Sequence, residues 1–267
     1  MLMALFPPSH FRSIGPCEMV VSYDRDMKFR CDLGSFIEWN IFFKGYYSPD
    51  LSLCIKRLVK PGMQVIDVGA NAGAYSLLMA KHVGKDGKVV SFEPNPEVFQ
   101  RLKGNVSLNH FEERIVVKQV ALSDRNGEAI LWVPQTQHPH RGISSLERYA
   151  EILTDQIPVK VERLDNIFAE LDLDRLDFIK VDTEGSDARV IEGGMKVIQN
   201  FHPIVIFEAN YLAHSEADTV LEKIRSELHS LGYQFFTVGY FGRLKRCSDR
   251  LPLPDSDIVC IPGELTK

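Results

Sequence analysis

Cysteine is scarce in this chain: 267 residues hold five, Cys17, Cys31, Cys54, Cys247 and Cys260, an odd number with no C-x-x-C pair. That excludes a disulfide framework and a cysteine zinc site, and makes the reducing cytoplasm the expected compartment. No apolar run approaches the roughly 20 residues of a membrane-spanning helix, and the opening MLMALF is too short and lacks the basic flank of a leader. Basic charge is not in excess, because 31 Lys and Arg stand against 36 Asp and Glu for a net charge of −5. Nothing global therefore draws the chain to nucleic acid or to an anionic membrane, and neither is expected as a partner. A GK[ST] phosphate loop is missing too, which removes a Walker-type site.

What is present is one strong stretch, VIDVGANAGAYS, from Val65 to Ser76. Val65, Ile66 and Val68 read as a buried strand, GANAG as a tight turn, and AYSLLMAKHV as the helix that follows. Gly69 and Gly73 carry no Cβ, so backbone can approach a ligand there, and the free N–H groups of the helix start face it. A dinucleotide fingerprint would need further glycines, where Asn71 and Ala74 stand instead. The acidic-x-Gly-x-x-x-Gly spacing of Asp67, Gly69 and Gly73 resembles S-adenosylmethionine (SAM) methyltransferases, with Asn71 in place of their usual middle glycine. Downstream, KVVSFEPNP is a second apolar strand ending in Glu93, 26 residues after Asp67. A carboxylate at that strand end can accept from both hydroxyls of a ribose.

The rest of the chain alternates strands and helices. Residues 1–58 read as an N-terminal extension: a hairpin from MVVSYD and MKFRCD over Asp24 and Arg25, an aromatic segment FIEWNIFFKGYY that serves as pocket cap, core or dimer contact, and a helix from SPDLSLCIKRLV. Residues 59–267 form the main domain. After Glu93, Asn95 is a plausible N-cap for a helix with Val98, Leu102 and Val106 on one face. ERIVVKQVALSD is expected as the third strand, LDFIKVDTEG as the fourth and PIVIFEAN as the fifth. One continuous helix is expected over SDARVIEGGMKVIQN and another over EADTVLEKIRSELHSLG. YQFFTVG and DIVCIP close the chain as an antiparallel pair, with FGRLKRCSDRLPLPDS as their linker. The polar stretch 135–151 is long without an element of its own, as in a lid or binding loop. The fold expected is α/β and Rossmann-like: a mainly parallel seven-stranded sheet, helices on both faces and a C-terminal antiparallel strand.

In order, VIDVGANAGAYS, FEPNP, VALSD, SSL, IKVDTEGSDARVIEGG and PIVIFEAN resemble the FkbM-type methyltransferases, a branch of the class I SAM-dependent enzymes. The resemblance spans residues 45 to 210. It implies SAM as cofactor, S-adenosylhomocysteine (SAH) as product, and methylation of a hydroxyl on a sugar, glycolipid or polyketide-like small molecule. It also implies a cofactor wall from Asp67, Gly69, Asn71, Gly73, Tyr75 and Ser76, then Glu93, Pro94 and Asn95, then Ala121, Leu122 and Asp124, with Asp182. Many members carry a glutamate after the tyrosine preceding the first strand, where this chain has Tyr47-Ser48-Pro49.

An alcohol attacks a methyl group better when its proton is removed, and Asp182, Glu184, Glu208, His140 or His214 are placed to do so. Asp182 and Glu184 are preferred because both follow a buried strand at the expected cofactor edge, with Glu208 as a third candidate. Asp182, Glu208 and Asn210 are all oxygen donors at strand ends, so Mg²⁺ is a variant of this site, although no metal is the favoured reading. Two rivals remain: a nicotinamide-dependent oxidoreductase, which shares the Glu93 logic, and a SAM-binding fold working as an interaction module. A homo-oligomer stays open.

Overall fold

The computed structural model of the protein describes residues 3, 7–14, 17–135, 144–147, 154–209, 215–247 and 256–266. An N-terminal hairpin pairs β1 (Glu18–Tyr23) with β2 (Met27–Asp32), opposing Tyr23 to Met27 across a loop in which Asp24 and Arg25 take positive φ. Two helices follow, α1 (Phe36–Lys44) and α2 (Pro49–Leu58). Pro49 opens α2 because a helix's first N–H needs no partner.

The main unit alternates as expected: β3 (Gln64–Val68), α3 (Ala74–Val83), β4 (Lys88–Phe92), α4 (Pro96–Leu108) and β5 (Ile115–Lys118). Asn95 caps α4, its side-chain oxygen accepting from Glu97 N and Val98 N. The expected third strand breaks in two. Ile115 to Lys118 stays in the main sheet, whereas β6 (Ala121–Leu122) joins β7 (Gly127–Pro134) and β8 (Thr154–Glu162) in a separate three-stranded sheet.

Beyond it come β9 (Phe178–Val181), α5 (Asp187–Gly193), α6 (Met195–Phe201), β10 (Ile204–Ala209), α7 (Ser215–Ser230), β11 (Tyr233–Gly239), β12 (Arg243–Arg246) and β13 (Ser256–Pro262). The single helix expected over residues 186–200 is two, because the chain turns at Gly194, where any Cβ would meet the Leu164 side chain at 2.8 Å. The main sheet holds eight strands, not seven, in the order β12-β11-β13-β10-β9-β3-β4-β5. The eighth is β12, drawn from the expected linker and paired antiparallel with β11. β5 to β10 run parallel through β4, β3 and β9; β13 reverses direction. The chain first winds to one side of β3 and then, through β9, to the other, and the crevice at such a switch point is where open α/β sheets take ligands.

Two cores sandwich the sheet. On one side Val65, Leu77, Leu78 and Val83 pack with Tyr23, Phe29, Ile37, Ile41 and Ile55, so the N-terminal segment shares a core with the sheet. On the other, Ile66, Val68, Ile179 and Phe207 meet Val190, Ile191, Ile198 and Leu221. Each such side chain contributes on the order of 1.5–3 kcal/mol by leaving water. No helix among the described residues is long and apolar enough to cross a membrane.

Candidate active site

At the switch point the chain leaves β3 through Gly69, whose φ is +73°. A Cβ at Gly69 would lie 1.8 Å from the Asp182 carbonyl oxygen, so a side chain here would force apart the ends of β3 and β9. Asn71 also adopts a left-handed φ, 51°, and its side chain accepts from Ala72 N. The hairpin braces this turn from behind: Tyr23 donates to Ala74 O, and Asn105 donates to Ala72 O while accepting from Arg30 N. Asp24 at the hairpin tip pairs with Lys56 of α2 and Lys81 of α3 at 2.5 and 2.8 Å. Burial opposes its charge, but hydrogen bonds from Lys56, Lys81 and Tyr46 hold its carboxyl down at about 2.

The turn opens onto a cavity of about 830 Å³, a volume that takes in its open mouth. Of the residues singled out in the sequence, Gly69, Asn71, Tyr75, Glu93, Pro94, Ala121, Leu122, Asp182 and Glu184 line it. Asp67, Gly73, Ser76, Asn95, Asp124 and Glu208 do not. Each of these has an internal role instead. Gly73 begins α3 with φ 97°, Asn95 caps α4, and Asp124 lies beside Arg189 at 3.9 Å. Glu208 donates its N–H to Asp187. His140, Asn210 and His214, and all of the loop 135–151 except residues 135 and 144–147, lie outside the described residues. Among the described residues no three His, Cys, Asp or Glu side chains are grouped to hold a metal ion.

Asp67 is fully buried and belongs to a polar chain behind the wall. Ser91 donates to Ser76 at 2.8 Å, Ser76 donates to Asp67 at 2.6 Å, and Lys180 lies 3.7 Å from the other Asp67 oxygen. The same Lys180 ammonium reaches Asp182 at 3.1 Å and sits 4.6 Å from the Tyr75 ring centroid. Burial disfavours its charge, but the Asp182 and Asp67 carboxylates hold its pKa above the ordinary lysine value. Burial pushes the Asp67 carboxyl up, against the pull of Lys180 and Ser76.

Glu93 sits at the other end of the cavity, 6% exposed, accepting from Asn71 N and Asn95 N at 2.9 Å each. Burial raises it to about 7 although both N–H donors favour the charged form. Each oxygen keeps a lone pair for a hydroxyl donor.

The end of β9 is where acid accumulates. Glu184 has φ 54°, a left-handed conformation costly for a residue with a Cβ, and its carbonyl accepts from Ser145 Oγ at 2.7 Å. Burial, then the charges of Asp182, Glu208 and Asp187, push its carboxyl up to about 8. Asp187 is raised to about 6 by burial and Asp182, yet holds the loop by accepting from Thr183 N, Thr183 Oγ1 and Glu208 N. Asp257 is likewise raised to about 6 by burial and by Asp182. Tyr47 closes this side, its hydroxyl pKa raised by burial and by the same carboxylates.

Sequence reasoning did not assign Ile37, Tyr47, Ser144, Leu146, Lys180 and Thr183 to the wall. A signal existed for Lys180: a lysine inside the apolar run FIKV is tolerated only beside carboxylates. Ser144 and Leu146 belong to SSL, and Tyr47 stands where the chain departs from the glutamate-bearing pattern. Ile37, like Tyr47, lies in FIEWNIFFKGYY, for which pocket cap was one of three roles left open.

A sequence profile described as Methyltransferase FkbM domain matches residues 67–235. The 2-O-methyltransferase NoeI of Sinorhizobium fredii is 27% identical over 179 residues, covering 59% of this chain and 70% of NoeI. The 31-O-demethyl-FK506 methyltransferase FkbM of Streptomyces tacrolimicus is 29% identical over 161 residues, covering 51% of this chain and 60% of that protein. The AMB antimetabolite synthetase AmbE of Pseudomonas aeruginosa is 26% identical over 190 residues, and there the match spans only 9% of the relative. Among solved structures, a methyltransferase FkbM from Methylobacillus flagellatus superposes with a TM-score of 0.48 at 16% identity, over 84% of this chain and 54% of that one.

Proposed function

The chain belongs to the FkbM family of SAM-dependent methyltransferases, and from that premise we propose that it methylates a hydroxyl group of a sugar, glycolipid or polyketide-like small molecule. Two relatives carry the oxygen in their names, the 2-O-methyltransferase NoeI and the 31-O-demethyl-FK506 methyltransferase FkbM. Family membership also sets aside the nicotinamide-dependent alternative.

The observation that carries the reading is the polarity of the cavity along its length. One end holds a single buried carboxylate, Glu93, with lone pairs to spare; the other gathers Asp182 and Glu184. Glu93 suits the two hydroxyls of a ribose, and Ala121 and Leu122 supply an apolar wall for a base. Bound SAM supplies a methyl group on a cationic sulfonium, and a rim of carboxylates attracts such a cation. Gly69 keeps the turn close to β9, so the residues of both ends face one compartment.

Most of the acceleration in a methyl transfer comes from holding the acceptor oxygen in line at near-attack distance. Asp182 and Glu184 are the groups to orient that hydroxyl and take its proton, with Glu208 beside them. Lys180 lies 3.1 Å from Asp182 and fixes the position of its carboxylate beside the cavity. Burial and the neighbouring carboxylates push Glu184 up to about 8, which favours the protonated form that can donate to the acceptor. We assign Asp182 as base and Glu184 as the group that positions the acceptor.

Calorimetry of the cofactor-stripped protein with SAM and SAH tests the cofactor half. Micromolar binding is expected, and none would refute the assigned pocket. Turnover with glycosides and polyketide alcohols, with EDTA and with Mg²⁺, tests the acceptor half and the metal variant. Turnover on amines or thiols in preference to alcohols would refute it.

A further inference from the structure

The turn between β11 and β12 carries Tyr240 and Phe241 at 84% and 69% exposure, whereas Phe92, Phe178, Phe207 and Tyr233 of the main sheet are buried. The tip is not loose. Phe241 N donates to Asp50 Oδ1 at 2.7 Å, and Gly242 is pressed so closely on α2 that a Cβ there would lie 2.4 Å from Cys54 N. Phe241 is held at φ 58°, ψ 28°, a left-handed conformation that L-residues with side chains disfavour by about 1 kcal/mol. Strain and exposure thus meet on one aromatic residue, a combination that packing does not explain.

Three cations follow at once. Arg243, Lys245 and Arg246 are exposed in β12, the edge strand, and none pairs with a described acidic residue. Positive charge on an edge strand commonly blocks edge-to-edge pairing. That does not account for two rings presented at the start of the same strand. Exposed aromatics beside a row of Arg and Lys suit the boundary between an anionic headgroup layer and its acyl chains, where rings sit at headgroup depth and cations meet phosphate.

The tip also points the right way. β11 is antiparallel to β13, and β13 to β10, so β11 runs with the parallel strands and ends at the edge that bears the cavity. Asp50, which holds Phe241, is three residues from the cavity-lining Tyr47.

We propose that Tyr240, Phe241, Arg243, Lys245 and Arg246 form a docking element for anionic lipid headgroups, which sets the cavity mouth against a bilayer. The net charge of −5 does not describe this tip, where three exposed cations stand within four residues. The proposal stands apart from the choice of acceptor.

The test is co-sedimentation of the full chain with vesicles of phosphatidylcholine alone and with vesicles containing about 30% phosphatidylglycerol. Binding is expected to the anionic vesicles only. Tyr240→Ser combined with Phe241→Ser weakens it about tenfold, and Arg243→Gln with Lys245→Gln and Arg246→Gln roughly a hundredfold. Melting temperature and SAM affinity, read on the same preparations, stay at wild-type values in both variants. Equal binding by the variants, equal binding to neutral vesicles, or no binding to either overturns the proposal. So does a concentration-dependent dimer in analytical ultracentrifugation that the aromatic variant abolishes, which would assign the tip to a second copy of the chain.

Discussion

Two acidic strand ends lie side by side in this protein and do opposite things. Asp67 at β3 has no exposed surface, and Ser76 and Lys180 serve its carboxylate from within the fold. Asp182 at β9 shares that lysine but keeps a quarter of its side chain open, beside Glu184 and the cavity. The register explains the division, since Asp67 lies directly opposite Lys180, so the pair neutralises itself within the sheet. Asp182 lies beyond the last paired residue, where the sheet ends and the cavity begins. An acidic residue in a glycine-turn motif can therefore be scaffold, while one placed two residues past a buried lysine faces the cavity.

The comparison breaks most severely if the shared cation is removed. Lys180→Met strands Asp67 in the interior and is expected to cost about 3–5 kcal/mol, or roughly a 10 °C fall in melting temperature. A melting temperature unchanged by the mutation would mean that Asp67 is neutral and needs no partner. Next in size is Asp182→Asn, which spares the scaffold and removes the carboxylate proposed as base; turnover should drop on the order of 10²–10³-fold with SAM affinity nearly intact. Full turnover would remove Asp182 from the chemistry. Glu93→Ala touches neither strand end yet should weaken SAM and SAH binding about 10–100-fold in calorimetry, as loss of a charged hydrogen-bond acceptor does.

A subtler sharpening uses pH. Glu184 is raised from 4.5 to about 8, so folding favours its protonated form. Its contribution to stability is full below about 4.5 and is lost as pH rises through about 8. Glu184→Gln should accordingly flatten the fall in melting temperature across that window, and a profile identical to wild type would show that Glu184 is not desolvated. The smallest effect expected is at Tyr75, whose buried hydroxyl has no hydrogen-bond partner among the described residues. Tyr75→Phe should raise the melting temperature of the ligand-free protein by a few degrees, roughly 2–4 °C, because an unmet buried hydroxyl is costly. It should also reduce the stabilisation that SAH confers if the cofactor supplies the missing partner.

Much of this was legible in the linear chain. Apolar runs closed by acidic residues located β3, β4 and β9; Gly69 and Gly73 located the turn; Asn95 located a cap. These are local features, governed by backbone sterics and side-chain periodicity within a few residues. The break of residues 115–122 between two sheets was not legible, because either pairing satisfies the same apolar alternation. Strand β12 was missed for a related reason: RLKR carries a single apolar residue, Leu244, too little to mark a strand, and pairs along the edge that β11 offers. The N-terminal aromatics left cap, core and dimer contact open. In the structure Ile41 packs in the core while Ile37 and Tyr47 also reach the cavity wall.

By itself, then, the sequence determined the family, the order of strands and helices and the acids that end them, since motif spacing and hydrophobic period survive in one dimension. Only tertiary structure decided which of those acids faces the cavity. The sharing of Lys180 between Asp67 and Asp182 bridges segments more than 100 residues apart, and the crowding that lifts Glu184 brings in Glu208 from the neighbouring strand; such distances exist only once the sheet has closed around its switch point.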